Sequence, residues 1–436
     1  GQFETGKQHF DSINPATGES WARFPAASED DVNRAVDAAE QALFNGEWPN
    51  LTATARGKLL QRLADLIVEH AQELGNLETT DSGKLARETR AQTAYVGDYY
   101  RYYAGLADKI EGQVIPIDKP DMHVYTTREP IGVVAAIVPW NAQMFLAATK
   151  IAPALAAGNT IVVKASEQAP AAMFRFAELV HEAGFPPGVV NIITGFGEPC
   201  GRALTSHPKI ARIAFTGGPE TARHIVSNSR ENFAHVSLEL GGKSPILVFD
   251  DANLESAING IIAGNYGASG QSCVAGSRVF IQRNIFDQVI AAVKQRAAEI
   301  VIGDPLQENT QIGPLATPAQ IERCQQVIAQ SVAQGAQLIC GGKQPEHLTQ
   351  GLYFEPTLLI CPDQTITSVQ TELFAPVISA LAFDTEEEAI ALANESQFGL
   401  GSGVFTENLA RAHRVSKKIR SGIVWINTYR VISPMA

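Results

Sequence analysis

Gly270, Gln271, Ser272 and Cys273 set one thiol among small residues, where a Gly-rich backbone lets a small molecule come close. A single cysteine read alone is more often a buried structural group. Two further strings give this one a purpose. Val138, Pro139, Trp140 and Asn141 close an apolar run with a side-chain amide, and Leu238, Glu239, Leu240, Gly241 and Gly242 close another with a carboxylate. Thiol, amide donor and carboxylate are the parts of acyl chemistry: nucleophile, oxyanion donor and general base. The thiol must lose its proton to attack near neutral pH, and Glu239 or a water relay can accept it.

The elements that must position these groups are legible from periodicity. Ser28 and Asp31 have capping-box spacing ahead of a helix over 32–44, and Leu60, Leu63, Ala64 and Ile67 repeat at helical spacing. A third helix carries Tyr95, Tyr99, Tyr102 and Tyr103 on one stripe, read as core. Beyond a polar segment over 112–128, apolar β-rich runs at 131–138, 160–164, 189–194, 210–215 and 236–240 alternate with helices. One of these helices places Met173, Phe176, Ala177 and Val180 at helical spacing before the stop at Gly184, Pro186 and Pro187. Five such runs predict a parallel, doubly wound sheet with ligands at its strand ends. From about Gly241 a second alternation begins, with strands at 246–249, 279–281, 379–383 and 423–426.

The expected fold class is therefore α/β, with a Rossmann-like parallel-sheet domain and a second α/β domain; the roles of cofactor domain and catalytic domain, and a small oligomerisation element, are what the family resemblance of the motifs implies. The cofactor domain is assigned 1–111 and 131–240, the catalytic domain 241–426, and the bridging segments 112–130 and 427–436.

Composition excludes several other classes. The 436 residues are 45% apolar and 18% charged, which describes a folded protein of about two or three domains. A formal charge of −12, with Lys and Arg scattered, opposes binding to nucleic acid or an anionic membrane. The uncharged stretch 131–148 approaches membrane-spanning length but is broken by Pro139, Trp140, Asn141 and Gln143, so it reads as a buried strand and a polar turn. Five cysteines without CxxC spacing give neither a disulfide framework nor a zinc site, and dispersed histidines such as His9, His70 and His413 build no metal cluster. A reducing cytoplasm is expected. The first residue is Gly where a natural start would be Met, so the true start is expected to lie upstream.

In order along the chain come PWN at 139–141, VVKASEQAP at 162–170, GFGEPCG at 195–201, FTGG at 215–218, LELGGKSP at 238–245, GQSC at 270–273 and TELFAPV at 371–377. With this ordered series the chain resembles the aldehyde dehydrogenase superfamily over its whole length. The resemblance implies oxidation of an aldehyde to a carboxylic acid by NAD. Cys273 attacks the aldehyde carbon, the Asn141 amide and the Cys273 N–H hold the oxyanion, and Glu239 activates the water that hydrolyses the thioester. It also implies that Lys164 and Glu167 hold the adenosine ribose, that Glu372 binds the nicotinamide ribose, and that Phe374 positions the ring. Trp140, Gly197, Phe215, Thr216, Gly217, Gly218, Leu240 and Gly241 complete the expected cofactor contacts. Gly218 stands where relatives often carry Ser. NAD is expected in preference to NADP, because the Glu167 carboxylate repels a 2′-phosphate.

The resemblance places Ala142, Leu146, Thr149, Ser272, Val274 and Ile432 along a substrate tunnel, with Arg430 near its mouth. Ala142, Thr149 and Ile432 stand where many relatives carry aromatic residues, which leads us to expect a bulky aldehyde, and Arg430 one with an acidic or polar group. A homodimer or homotetramer is implied, as is a tail of some tens of residues beyond Ala436 that completes the tunnel. Two alternatives stand beside hydrolytic oxidation. A CoA-acylating relative would lack the glutamate at 239, and a silent structural relative would lack the cysteine at 273.

Overall fold

The computed structural model of the chain describes residues 3–435, so Gly1, Gln2 and Ala436, which end two of the expected segments, lie outside the described residues. Two strands near the N-terminus pair with each other, β1 (Gln8–Asn14) and β2 (Glu19–Ala26). The segment expected to be polar and bridging contains a short antiparallel pair, β3 (Val114–Ile115) and β4 (Val124–Tyr125).

The chain separates into two compact units. The first runs to Ile13 and then comprises Ser20–Asp81 and Thr89–Glu239. Its sheet contains β5 (Val133–Ile137), β6 (Thr160–Ala165), β7 (Val190–Thr194), β8 (Ile210–Thr216) and β9 (His235–Glu239), all parallel, in the order β7-β6-β5-β8-β9. These are the five apolar runs of the sequence, within one or two residues at each end. Strand β6 is buried along its whole length because helices must cover both faces of a parallel sheet. The helix Glu29–Phe44 starts at the expected capping box: Asp31 N–H donates to Ser28 Oγ, and Asp31 Oδ2 accepts from the Ser28 N–H at 2.7 Å.

The tyrosine stripe differs from expectation. Of its four rings only Tyr99 is buried, edge-on to Phe145 with centroids 5.0 Å apart. Tyr100, one position around the helix, is the more deeply buried ring, while Tyr95, Tyr102 and Tyr103 are only partly covered. A phenol has a polar tip that favours contact with water, so helical spacing alone does not bury it.

The second unit comprises Asn14–Glu19, Ser82–Glu88 and the chain from Leu240. Its two short early segments join it through backbone bonds: Leu352 N–H donates to the Pro15 carbonyl at 2.8 Å and Ala86 N–H to the Pro305 carbonyl at 2.9 Å. The expected continuous 1–111 segment is therefore interrupted twice. The sheet has seven strands: β10 (Pro245–Val248), β11 (Arg278–Gln282), β12 (Gln337–Cys340), β13 (Thr357–Ile360), β14 (Val377–Phe383), β15 (Gly401–Phe405) and β16 (Ile423–Ile426). Their order is β12-β13-β14-β11-β10-β15-β16, with only β12 antiparallel to its neighbour. Among the described residues no helix is long and apolar enough to cross a membrane.

Candidate active site

In the first unit, the candidates follow the carboxyl ends of the parallel strands. Trp140 and Asn141 follow β5, Lys164 and Glu167 lie at the end of β6, and Gly197 lies beyond β7. Phe215, Thr216, Gly217 and Gly218 end β8, and Glu239 ends β9. One edge of one sheet thus gathers them, as a doubly wound sheet gathers ligand contacts. Lys164 is buried, and its Nζ lies 3.3 Å from Oε2 of half-buried Glu167. Gly217 N–H donates to the Glu239 carbonyl at 3.0 Å, tying the turn after β8 to the end of β9. Gly218 is the N-cap of the helix Pro219–Asn228, with no side-chain bond to its first N–H groups and open space where a Cβ would stand. Such a helix start can receive a phosphate.

Ala142, Leu146 and Thr149 lie on or just before the helix Gln143–Ala156 that follows Asn141. Ala142 is buried, and Thr149 turns its hydroxyl inward to the Leu146 carbonyl at 2.9 Å.

In the second unit, the candidates precede the amino ends of three adjacent strands. Leu240 and Gly241 lead into β10, Ser272, Cys273 and Val274 into β11, and Glu372 and Phe374 into β14. Gly242 is where these approaches meet. Its N–H donates to Glu372 Oε1 at 3.0 Å, and a Cβ added to it would overlap the Cys273 carbonyl oxygen. A Cβ on Gly241 would overlap the Glu372 carboxylate. The two glycines of the motif are thus spaces that the Glu372 carboxylate and the Cys273 backbone occupy.

The loop that carries Cys273 is held in a costly conformation. Ala268, Ser269 and Gly270 have φ of 53°, 54° and 72°, three successive residues in the left-handed region. Buried side chains fix it there. Ser269 Oγ donates to the Gly313 carbonyl at 3.0 Å, and Gln271 Nε2 donates to the Pro314 carbonyl at 3.3 Å. Gln271 Oε1 accepts from Ala316 N–H at 2.9 Å, and Gln320 Nε2 donates both to that oxygen and to the Phe374 carbonyl. Gln271 and Gln320 therefore link the loops of Cys273 and Phe374, and Phe374 itself has φ of 55°.

Cys273 is half-buried, whereas burial pushes the Cys200 thiol up to about 11 and that of Cys324 to about 12. Burial also raises Cys340 and Cys361. Those four stay protonated and serve packing.

After β16 the chain turns back, with Asn427 and Arg430 at φ of 54° and 65°. Tyr429 Oη donates to the Val274 carbonyl at 2.9 Å, so this segment supports the loop of Cys273. Ile432 and Cys273 pack on the same cluster, which contains Val274, Trp425 and Tyr429. Arg430 is placed differently: its Nη1 donates to the Ala263 carbonyl at 3.0 Å, near the end of the helix Leu254–Asn265. A cation suits that position.

Three supporting residues escaped the sequence reading. Glu78 and Asp81, buried one turn apart on the helix Ala71–Ser82, act as paired staples. Glu78 Oε2 accepts from Met144 N–H at 3.2 Å and Asp81 Oδ2 from Ala171 N–H at 2.8 Å. They fix the starts of the helices that follow Asn141 and Glu167. The third is Lys243, only 2% exposed, beside Gly242. Burial, aided by Arg278 and opposed by Glu372, brings its amine down to about 7. Burial raises Glu372 above the usual carboxylate range, against the pull of the Gly242 N–H and Lys243. A spacing of three residues and a lysine after Gly-Gly were visible in the sequence, but burial was not.

The first unit has the strand order of a Rossmann-type sheet, and the second is an α/β unit whose Cys273 loop is strained. The sequence profile of the aldehyde dehydrogenase family matches residues 3–436, and the chain belongs to that family. It is 59% identical over 437 residues to (Z)-2-((N-methylformamido)methylene)-5-hydroxybutyrolactone dehydrogenase of Acinetobacter baylyi, covering all of this chain and 89% of that protein. The betaine aldehyde dehydrogenase of Staphylococcus aureus in complex with NAD+ superposes with a TM-score of 0.97 at 39% identity, over 99% of this chain and 86% of the other. An aldehyde dehydrogenase variant from Bacillus cereus also gives 0.97, at 40% identity, over 99% and 88%.

Proposed function

We propose that the protein oxidises an aldehyde to a carboxylic acid with NAD, through a thiohemiacetal and then a thioester on Cys273. The observation that carries this reading is the Gly242 backbone, bonded to Glu372 on one side and packed on the Cys273 carbonyl on the other. Cys273 supplies the nucleophile, and its own N–H and the Asn141 amide stabilise the oxyanion. NAD bound to this chain accepts the hydride. Glu239, exposed at the end of β9, draws a proton from the water that releases the acid.

The residues fit such a cofactor. Glu372 is a half-buried carboxylate ready to accept from ribose hydroxyls, Glu167 offers the same at the adenosine end, and the helix start at Gly218 has N–H groups for a phosphate. Glu167 favours NAD over NADP. The unit ending at Glu239 serves as cofactor domain and the chain from Leu240 as catalytic domain. Assembly as a homodimer or homotetramer uses 112–130 and 427–436, a role supported by the exposed apolar side chains Val114, Ile117, Met122 and Tyr125. The cytoplasm suits a chain with buried, protonated thiols.

The test is stoichiometric oxidation of an aldehyde panel, followed by NADH absorbance and by acid formation. NADH appearing without acid, or steady turnover that requires CoA and yields acyl-CoA, refutes the hydrolytic reading.

A further inference from the structure

Lys243 lies at the amino end of β10 and is among the most deeply buried large side chains of the protein. It lines a small cavity of about 10 Å³, room for about one water, with Gly242, Ser272, Glu372 and Phe374. Ionisable groups from four other parts of the unit act on it. Arg278 on β11, Glu372 before β14, Cys324 on the helix Pro318–Ala333 and Cys361 after β13 all act on its amine, and Arg323 adds to the field at Glu372. Burial lowers Arg278 to about 10, so its guanidinium, bonded to the carbonyls of Lys243, Leu392 and Ala393 at 2.9, 3.1 and 2.8 Å, keeps its proton from pH 6 to 8.5. The two thiols are held protonated by burial. One fixed cation and one carboxylate therefore balance, and Lys243 is the group whose proton decides whether the pocket is neutral or positive.

We propose that Lys243 is a positioning residue that sets the charge at the nicotinamide end of the cofactor site, neutral beside the oxidised ring and protonated beside the reduced one. This rests on the reading above that Glu372 binds the nicotinamide ribose. The oxidised ring is a cation and the reduced ring is neutral, so a second positive charge next to Glu372 opposes NAD+ and not NADH. Oxidation of the aldehyde with water releases a proton as NAD+ becomes NADH. Lys243 takes one up as the ring loses its charge, and the pocket keeps its total.

The experiment measures Kd for NAD+ and for NADH by calorimetry at pH 6, 7 and 8.5, in a Cys273→Ala background so that the nucleophile does not titrate. With Lys243 present, the ratio Kd(NAD+)/Kd(NADH) falls about tenfold from pH 6 to pH 8.5, the size expected for one charge roughly 10 Å away at an effective dielectric of about 20. Lys243→Arg keeps the charge and holds the ratio at its high, low-pH value throughout. Lys243→Met, or Lys243→Gln if Met does not fold, holds it at the low value throughout. A residue that only fills space would shift both constants equally and leave the pH slope in place, so an unchanged slope in the Arg and neutral variants overturns the proposal. Glu372→Gln separates the two readings. If it leaves both constants unaltered, the ribose assignment has failed; if it weakens both while the Lys243 variants keep the slope, the Lys243 assignment alone has failed.

Discussion

The Gly242 N–H donates to Oε1 of Glu372 across 3.0 Å, and the neighbouring Gly241 has no room for a side chain because that carboxylate occupies the space. Gly241→Ala must therefore push Glu372 aside. The expected result is Kd for NAD raised about tenfold or more, from loss of a charge-assisted bond. Melting temperature should change little, since Glu372 is only half-buried. Calorimetry with NAD and a thermal melt of the apoprotein check both halves. Unaltered NAD affinity would remove Glu372 from the cofactor site.

Burial of Lys243 also predicts how stability depends on pH. Its amine falls from 10.5 in the unfolded chain to about 7 in the folded one. Between about pH 7 and 10.5 the unfolded chain holds a proton that the folded chain does not, so this group's contribution to stability rises with pH across that window. The stability is fully present above the unfolded value and is lost as pH falls to about 7. Lys243→Met should remove the slope and raise stability most near pH 7. Urea denaturation of the two proteins at pH 7 and 9 measures it, and equal pH slopes would refute it.

How much of this was legible depended on whether a residue's role is local. The five strands of the first sheet are continuous apolar runs and were read closely, as was the Ser28 cap, because both signals sit in adjacent residues. Strand β15 was missed. Its sequence, Gly-Ser-Gly-Val-Phe, reads as a turn, and only the packing of Tyr429 against Gly403 and of Trp425 against Gly401 explains why glycines belong there. Glu78 and Asp81 look like surface carboxylates of a polar helix, since their partners Met144 and Ala171 are far away in sequence. Lys243 was inside a quoted motif, but its charge state depends on groups from other strands and a helix.

Those staples give a third prediction. Glu78→Ala leaves the Met144 N–H without this acceptor at the start of the helix that follows Asn141, at a cost of about 1–3 kcal/mol. Melting temperature should drop by several degrees. If Asn141 holds the oxyanion, kcat should fall more than KM rises, because a loosened turn misplaces a donor needed in the transition state. A drop in melting temperature with kcat intact would make Glu78 purely structural.

For the chemistry itself, Cys273→Ala should abolish oxidation and leave NAD binding within about twofold, because the thiol contributes a covalent bond and not cofactor affinity. Glu239→Gln should slow release of the acid more than its formation on sulfur. Rapid mixing should then show a burst of about one NADH per site before a slow steady state. Equal loss in both phases would assign Glu239 to activation of the thiol.

The last prediction concerns the aldehyde. The Acinetobacter baylyi relative is named for a 5-hydroxybutyrolactone. A lactone with a hydroxyl on the carbon bonded to the ring oxygen opens to an aldehyde with a carboxylate at its far end. For this chain the expectation of a bulky aldehyde with an acidic group comes from its own residues at 142, 149, 430 and 432. Small or half-buried side chains at Ala142, Thr149 and Ile432 agree with the bulk. Arg430 is the candidate for the acid, but its Nη1 is already committed to the Ala263 carbonyl. The two roles separate by experiment. Compare kcat/KM for 4-oxobutanoate, butanal and benzaldehyde in wild type, Thr149→Trp and Arg430→Ala. If Arg430 contacts the acid, Arg430→Ala should lower kcat/KM for 4-oxobutanoate about tenfold or more and leave butanal within about twofold, since only the former loses a charge-assisted pair. Equal losses on both would mean that the arginine acts through the helix end. Thr149→Trp should penalise benzaldehyde more than butanal, and no such difference would show that Thr149 does not line the tunnel.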